Sequence, residues 1–140
     1  MTIQKPNVAV VDDDDVLQMM VGRLFSLYAP ECLVEKFYHG EKILSHLKTN
    51  RANKNNLPDI ILLDVNMPLM NGWAFLEEYE LLKTQLSKLP KIYLVTSSSD
   101  SNDVQRAKMN GNIVEHVIKP VTNDFIVRII SELKVANEAV

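Results

Sequence analysis

At 140 residues with a single cysteine, the chain has room for one compact domain that buries roughly two-thirds of its unfolded surface without disulfides or a structural metal, and no room for a second. Fifteen Lys and Arg against 18 Asp and Glu give a net charge of −3, and four of the acids are packed into residues 12–15, so no basic stripe exists to neutralise nucleic-acid phosphates and direct DNA binding is not expected. Nowhere do about 18 apolar residues run together, so no membrane insertion is expected, and the lone Cys32, read as a small buried hydrophobe, fits a reducing, cytoplasmic setting.

The first strand is predicted over Asn7–Val11, where Val8-Ala9-Val10-Val11 is the unbroken kind of run that is buried on both faces. Val16–Tyr28 then spaces Leu17, Met20, Val21, Leu24 and Leu27 as one face of a helix. Leu33–Phe37 reads as the second strand, and Glu41–Lys48 as a helix with Ile43, Leu44 and Leu47 on one side. The polar stretch Thr49–Pro58 reads as a solvated loop. A third strand follows over Asp59–Leu63, then a helix over Trp73–Leu86 that carries Phe75, Leu76, Tyr79, Leu82 and Leu86. Lys91–Thr96 is the fourth strand, Asp103–Met109 a short polar helix, Ile113–Ile118 the fifth strand, and Asp124–Ala136 a last helix with Phe125, Ile126, Ile129, Ile130 and Leu133. Gly40, Gly72 and Gly111 fall at element boundaries, where a turn or left-handed cap calls for a residue without Cβ. Strict alternation of strand and helix implies an α/β fold: a parallel sheet with helices on both faces.

In such sheets ligands bind at the carboxyl edge of the strands. The first strand delivers Asp12 and Asp13 to that edge, the third Asp64, the fourth Thr96 followed by Ser97–Ser99, and the fifth Lys119-Pro120. Converging carboxylates repel by roughly 4 kcal/mol per pair at about 4 Å and an effective dielectric near 20, so something positive must sit among them. Transfer of a phosphoryl group to a carboxylate would use every one of these types. Asp12 and Asp13 would supply hard oxygen ligands for Mg²⁺, Asp64 the nucleophile, and Lys119 with the Thr96 hydroxyl the groups that hold the remaining oxygens. Asp14 and Asp15 are assigned to capping the first helix and complementing its dipole.

The segments Val10-Val11-Asp12-Asp13 and Leu62-Leu63-Asp64-Val65-Asn66-Met67-Pro68-Leu69-Met70-Asn71-Gly72, the strand end Thr96-Ser97 and the pair Lys119-Pro120 resemble, in the same order, the receiver domain of two-component response regulators. The resemblance spans about residues 7–136 and implies a flavodoxin-like (βα)5 fold with strand order 2-1-3-4-5. It further implies phosphorylation of Asp64 by a sensor histidine kinase or histidine phosphotransfer protein, and Mg²⁺ held by Asp12, Asp13, Asp64 and the main-chain carbonyl of Asn66. Pairing of Lys119 with the phosphoryl group and a cis Lys119–Pro120 peptide are implied as well. Three residues before the lysine, where similar receivers often carry Tyr or Phe, stands His116, expected to pair with Thr96 as the switch.

With residues 1–140 read as one receiver and no output domain, the expected output is contact with an unknown protein target through the 103–133 face. No enzymatic turnover is expected beyond the domain's own phosphorylation and dephosphorylation. The alternative is a Mg²⁺-dependent phosphohydrolase working through an aspartyl-phosphate. Such enzymes place a second acid two residues after the nucleophile, where this chain has Asn66. A nucleotide- or flavin-binding domain would need a phosphate cradle where Asp12–Asp15 stand, so no such cofactor is expected.

Overall fold

The computed structural model describes residues 5–97 and 101–138. In chain order these form β1 (Asn7–Val11), α1 (Asp15–Tyr28), β2 (Leu33–Phe37), α2 (Gly40–Thr49), β3 (Ile60–Asp64), α3 (Gly72–Leu82), a 3₁₀ turn (Lys83–Gln85), β4 (Lys91–Thr96), α4 (Ser101–Met109), β5 (Ile113–Ile118) and α5 (Asn123–Glu138). The sheet is parallel in the order β2-β1-β3-β4-β5, the doubly wound arrangement implied above. The order in which strands are added reverses between β1 and β3, which opens a crevice at their carboxyl ends.

Every residue of the inner strands β1 and β3 is buried, as their unbroken apolar runs require. Alternate side chains feed two cores. Ala9, Val11, Ile61, Leu63, Ile92 and Leu94 meet α2, α3 and Ala107 of α4 on one face, while Val8, Val10, Ile60, Leu62, Tyr93 and Val95 meet α1 and α5 on the other.

Three of the element readings are corrected. The inward stripe of α1 consists of Leu17, Gln18, Val21, Leu24 and Phe25, whereas Met20 and Leu27 are more than half exposed. Apolar spacing alone could not decide between two overlapping faces of that helix. The third strand is displaced by one residue, because Asp64 pairs with Val95 in the ladder while Asp59 exchanges hydrogen bonds with Asn7 at the entrance to β1. The third helix ends at Leu82, and the 3₁₀ turn tightens the exit, with Leu86 N–H donating to the Lys83 carbonyl at 3.2 Å.

None of the described glycines has positive φ; the left-handed position is Leu69, at φ 68°. Two of the boundary glycines serve close approach instead. A Cβ on Gly40 would stand 3.0 Å from the Met70 carbonyl oxygen, and one on Gly72 would stand 2.6 Å from that of Asp64.

Candidate functional site

Asp12 follows the last residue of β1, and Asp64 is the last residue of its neighbour β3. Both are almost fully buried, at 2% and 4% exposure, while Asp13 opens to solvent. Ligand oxygens of Asp12, Asp13 and Asp64 all lie within 4.8 Å of one another. Opposite them, the Lys119 ammonium lies 2.9 Å from Asp12 Oδ2 and 3.4 Å from Asp64 Oδ1. Lys119 reaches this position from the β5 exit, where its N–H donates to the Thr96 carbonyl at 2.9 Å and its peptide to Pro120 is cis.

Burial raises the Asp64 carboxyl to about 6, and the charge of Asp12 adds to this; the Lys119 charge and the Asn66 backbone N–H pull the other way without cancelling it. Burial also works against the Lys119 ammonium, but its hydrogen bond to Asp12 and the charges of both acids leave its pKa raised overall. Among the described residues, the Lys119 ammonium pairs with Asp12 and Asp64, and Asp13 adds a third carboxylate to the cluster. Such an oxygen-rich, under-neutralised pocket suits a hard divalent cation.

Local sequence explains the placement. Asp14 caps α1, accepting from Val16 N–H at 2.9 Å and Leu17 N–H at 3.3 Å, while its own N–H donates to Asp12 Oδ1 at 2.9 Å. Asp15 lies in the first turn. Asn71 caps α3 by accepting from Ala74 N–H at 2.8 Å. Gly72 N–H donates to the Val65 carbonyl at 2.9 Å, which holds α3 against the strand end that bears Asp64.

Thr96 is fully buried at the end of β4, one residue past the Asp64–Val95 rung. Asn66 is exposed in the following loop, and its N–H supports the Asp64 carboxylate. His116 pairs with Leu94, one pleat before the Thr96–Ile118 rung, and its Nε2 is buried with no partner among the described residues. Ser97 is exposed, while Ser98 and Ser99 lie outside the described residues.

Gln18 was not among the residues expected at the site, yet it is 1% exposed beneath this edge and its Nε2 donates to the carbonyls of Val10, Asp12 and Phe37. Among the described residues its Oε1 is buried without a partner. The available signal was a polar residue inside the apolar stripe of α1.

A doubly wound parallel sheet whose crevice holds three aspartates against a lysine defines the receiver class. The response regulator receiver domain family matches residues 8–131, and the chain belongs to that family. Among relatives, it is 27% identical over 127 residues to a probable methanogenesis regulatory protein FilR2 of Methanothrix harundinacea, covering 91% of this chain and 80% of that protein. It is 37% identical over 116 residues to the two-component response regulator ARR2 of Arabidopsis thaliana, covering 81% of this chain but only 15% of that much longer protein. A two-component response regulator from Legionella pneumophila superposes with a TM-score of 0.78 at 28% identity, covering 94% of this chain and 99% of the other.

Proposed function

We propose that this receiver domain takes a phosphoryl group on Asp64 from a phosphohistidine of a sensor histidine kinase or histidine phosphotransfer protein, with Mg²⁺ held by Asp12, Asp13, Asp64 and the Asn66 carbonyl. The observation that carries this reading is a buried carboxylate set between two further acids and one ammonium at the carboxyl edge of the sheet. In the transfer, an Asp64 oxygen attacks phosphorus, the new P–O bond forms as the P–N bond breaks, and the imidazole leaves with the electron pair and a proton from solvent. The Asp64 carboxyl, raised to about 6, is mostly ionised at pH 7 and more basic than a solvated carboxylate. Lys119 stands where it can meet a phosphoryl oxygen, and the Thr96 hydroxyl is the second donor from the same edge. When bound, Mg²⁺ supplies positive charge that offsets the approach of one anion to another.

The signal then follows from charge. A phosphoryl group brings about 1.5 to 2 negative charges, which Thr96 and Lys119 answer by moving toward it. Taking the domain from 1:99 to 99:1 requires contacts worth about 5.5 kcal/mol in favour of the active state. The 103–133 face would carry the change to a protein target, either as direct effector or as a relay step. His116 would report the position of Thr96, a reading supported by its buried, unpartnered Nε2 beside the groove between α4 and β5. A His116→Ala variant whose conformational response to phosphorylation matched the wild type would count against that role.

Among the described residues no helix is long and apolar enough to cross a membrane. Burial pushes the Cys32 thiol up to about 11, so it is poorly reactive, and separately the single cysteine of the chain fits the proposed cytoplasmic setting. The test is incubation with acetyl phosphate and Mg²⁺ followed by intact mass. One phosphoryl group is expected, and none when Mg²⁺ is chelated before the donor is added or in Asp64→Ala. Steady release of phosphate far beyond one equivalent of protein would favour a phosphohydrolase.

A further inference from the structure

We infer that Gln18 is a positioning residue for the acidic pocket: its buried amide bolts the carboxyl ends of β1 and β2 together and so fixes the backbone from which Asp12 reaches Asp64. The inference rests on the metal-site reading above. Gln18 Nε2 lies 2.9 Å from the Val10 carbonyl, 3.0 Å from that of Asp12 and 3.1 Å from that of Phe37. The Phe37 carbonyl also accepts the Asp12 N–H at 2.9 Å. Both backbone polar groups of Asp12 are thereby tied, the N–H to Phe37 directly and the carbonyl to the same residue through Gln18. Its carboxylate is held as well, with Oδ1 on Asp14 N–H and Oδ2 on Lys119, each at 2.9 Å.

The chemistry of the side chain fixes its orientation, because turning the amide would aim Oε1 at three carbonyl oxygens. Glutamate would do the same with a charge. An apolar residue would extend the core stripe formed by Val21 and Phe25 and avoid the unpartnered Oε1, but it would release the Asp12 carbonyl. What distinguishes glutamine at this position is its N–H pair, directed at the backbone under a metal-ligand candidate. Partners that orient ligands in this way typically change metal affinity by about 10- to 100-fold when removed.

The experiment is Mg²⁺ titration by calorimetry on chelator-stripped protein, alongside thermal unfolding in EDTA. It compares wild type, Gln18→Met and Ile129→Val, the last a mild core loosening on the same face of the sheet. Gln18→Met is expected to weaken Mg²⁺ binding about tenfold or more while Ile129→Val keeps wild-type affinity. Wild-type affinity in Gln18→Met, or equal loss in both variants, would overturn the inference by reducing Gln18 to a general packing role. Should Gln18→Met fail to fold, Gln18→Asn carries the test, since its shorter amide cannot span the same carbonyls: weakened binding supports the role and unchanged binding refutes it. A wild type that binds no Mg²⁺ would instead sink the metal-site reading itself.

Discussion

Replacing Asp64 by Asn is expected to stabilise the metal-free protein at pH 7.5. The buried carboxyl is raised from 3.8 to about 6, so the folded state holds its proton more tightly than the unfolded state does. Above pH 6 the folded protein therefore bears the cost of an ionised Asp64. At about 1.4 kcal/mol per pKa unit, this cost is at most about 3 kcal/mol. The side chain is only 5% exposed, so solvent screens little of it, but Lys119 would lose one of its two carboxylate partners. A net gain of about 1–3 kcal/mol follows, or about 3–10 °C in melting temperature for a domain of this size. The gap should narrow as pH falls through 6, because the wild-type carboxyl then takes up its proton, and should be roughly halved at pH 5. Thermal unfolding in EDTA, followed by far-UV circular dichroism at pH 7.5 and 5.0, reads both quantities. An Asn variant no more stable than wild type at pH 7.5, or an advantage that grows on acidification, would refute the electrostatic account of the pocket.

Gly72→Ala should cost about 1–3 kcal/mol in urea unfolding, because the new Cβ would meet the Asp64 carbonyl oxygen at 2.6 Å and the Val65 Cα at 3.0 Å, both backbone atoms that cannot easily retreat. Leu69→Asn should raise stability by about 1 kcal/mol, since Leu69 holds φ 68° while 89% exposed and asparagine tolerates that conformation; a destabilised variant would show that the leucine side chain has a packing role. Trp73, the only tryptophan, lies in the first turn of α3 and carries the Arg106 guanidinium of α4 at 4.5 Å from its ring centre. Its emission should change on phosphorylation if α4 moves, and Arg106→Ala should diminish the change.

Much of this molecule is legible in the chain because its inner strands are buried on both faces. Val8–Val11 and Ile60–Leu63 leave no ambiguity of period, and the acids that end these runs are thereby assigned to one edge. The α1 helix is different: Met20 and Leu27 satisfy the same spacing as Leu17, Val21 and Leu24, and only tertiary packing selects Phe25 and Gln18 over them. Gln18 is marked in the sequence only as a polar residue within an apolar stripe; its role is not legible there, because it is addressed to main-chain carbonyls, which every residue possesses and no motif records. Gly72 stood out as a boundary glycine for conformational reasons, whereas the space beside Asp64 is what requires it. The left-handed position falls instead on Leu69, a residue type from which no one would infer positive φ.

The central claim is that Asp64, and no other carboxylate of the acidic cluster, takes the phosphoryl group. Phosphorylated protein treated with borohydride, which reduces an acyl phosphate to the alcohol, then digested and mapped by mass spectrometry, tests it most directly. Homoserine at position 64, formed only when Mg²⁺ was present during phosphorylation, is the expected result. Modification at Asp12 or Asp13, or none at all, would contradict it.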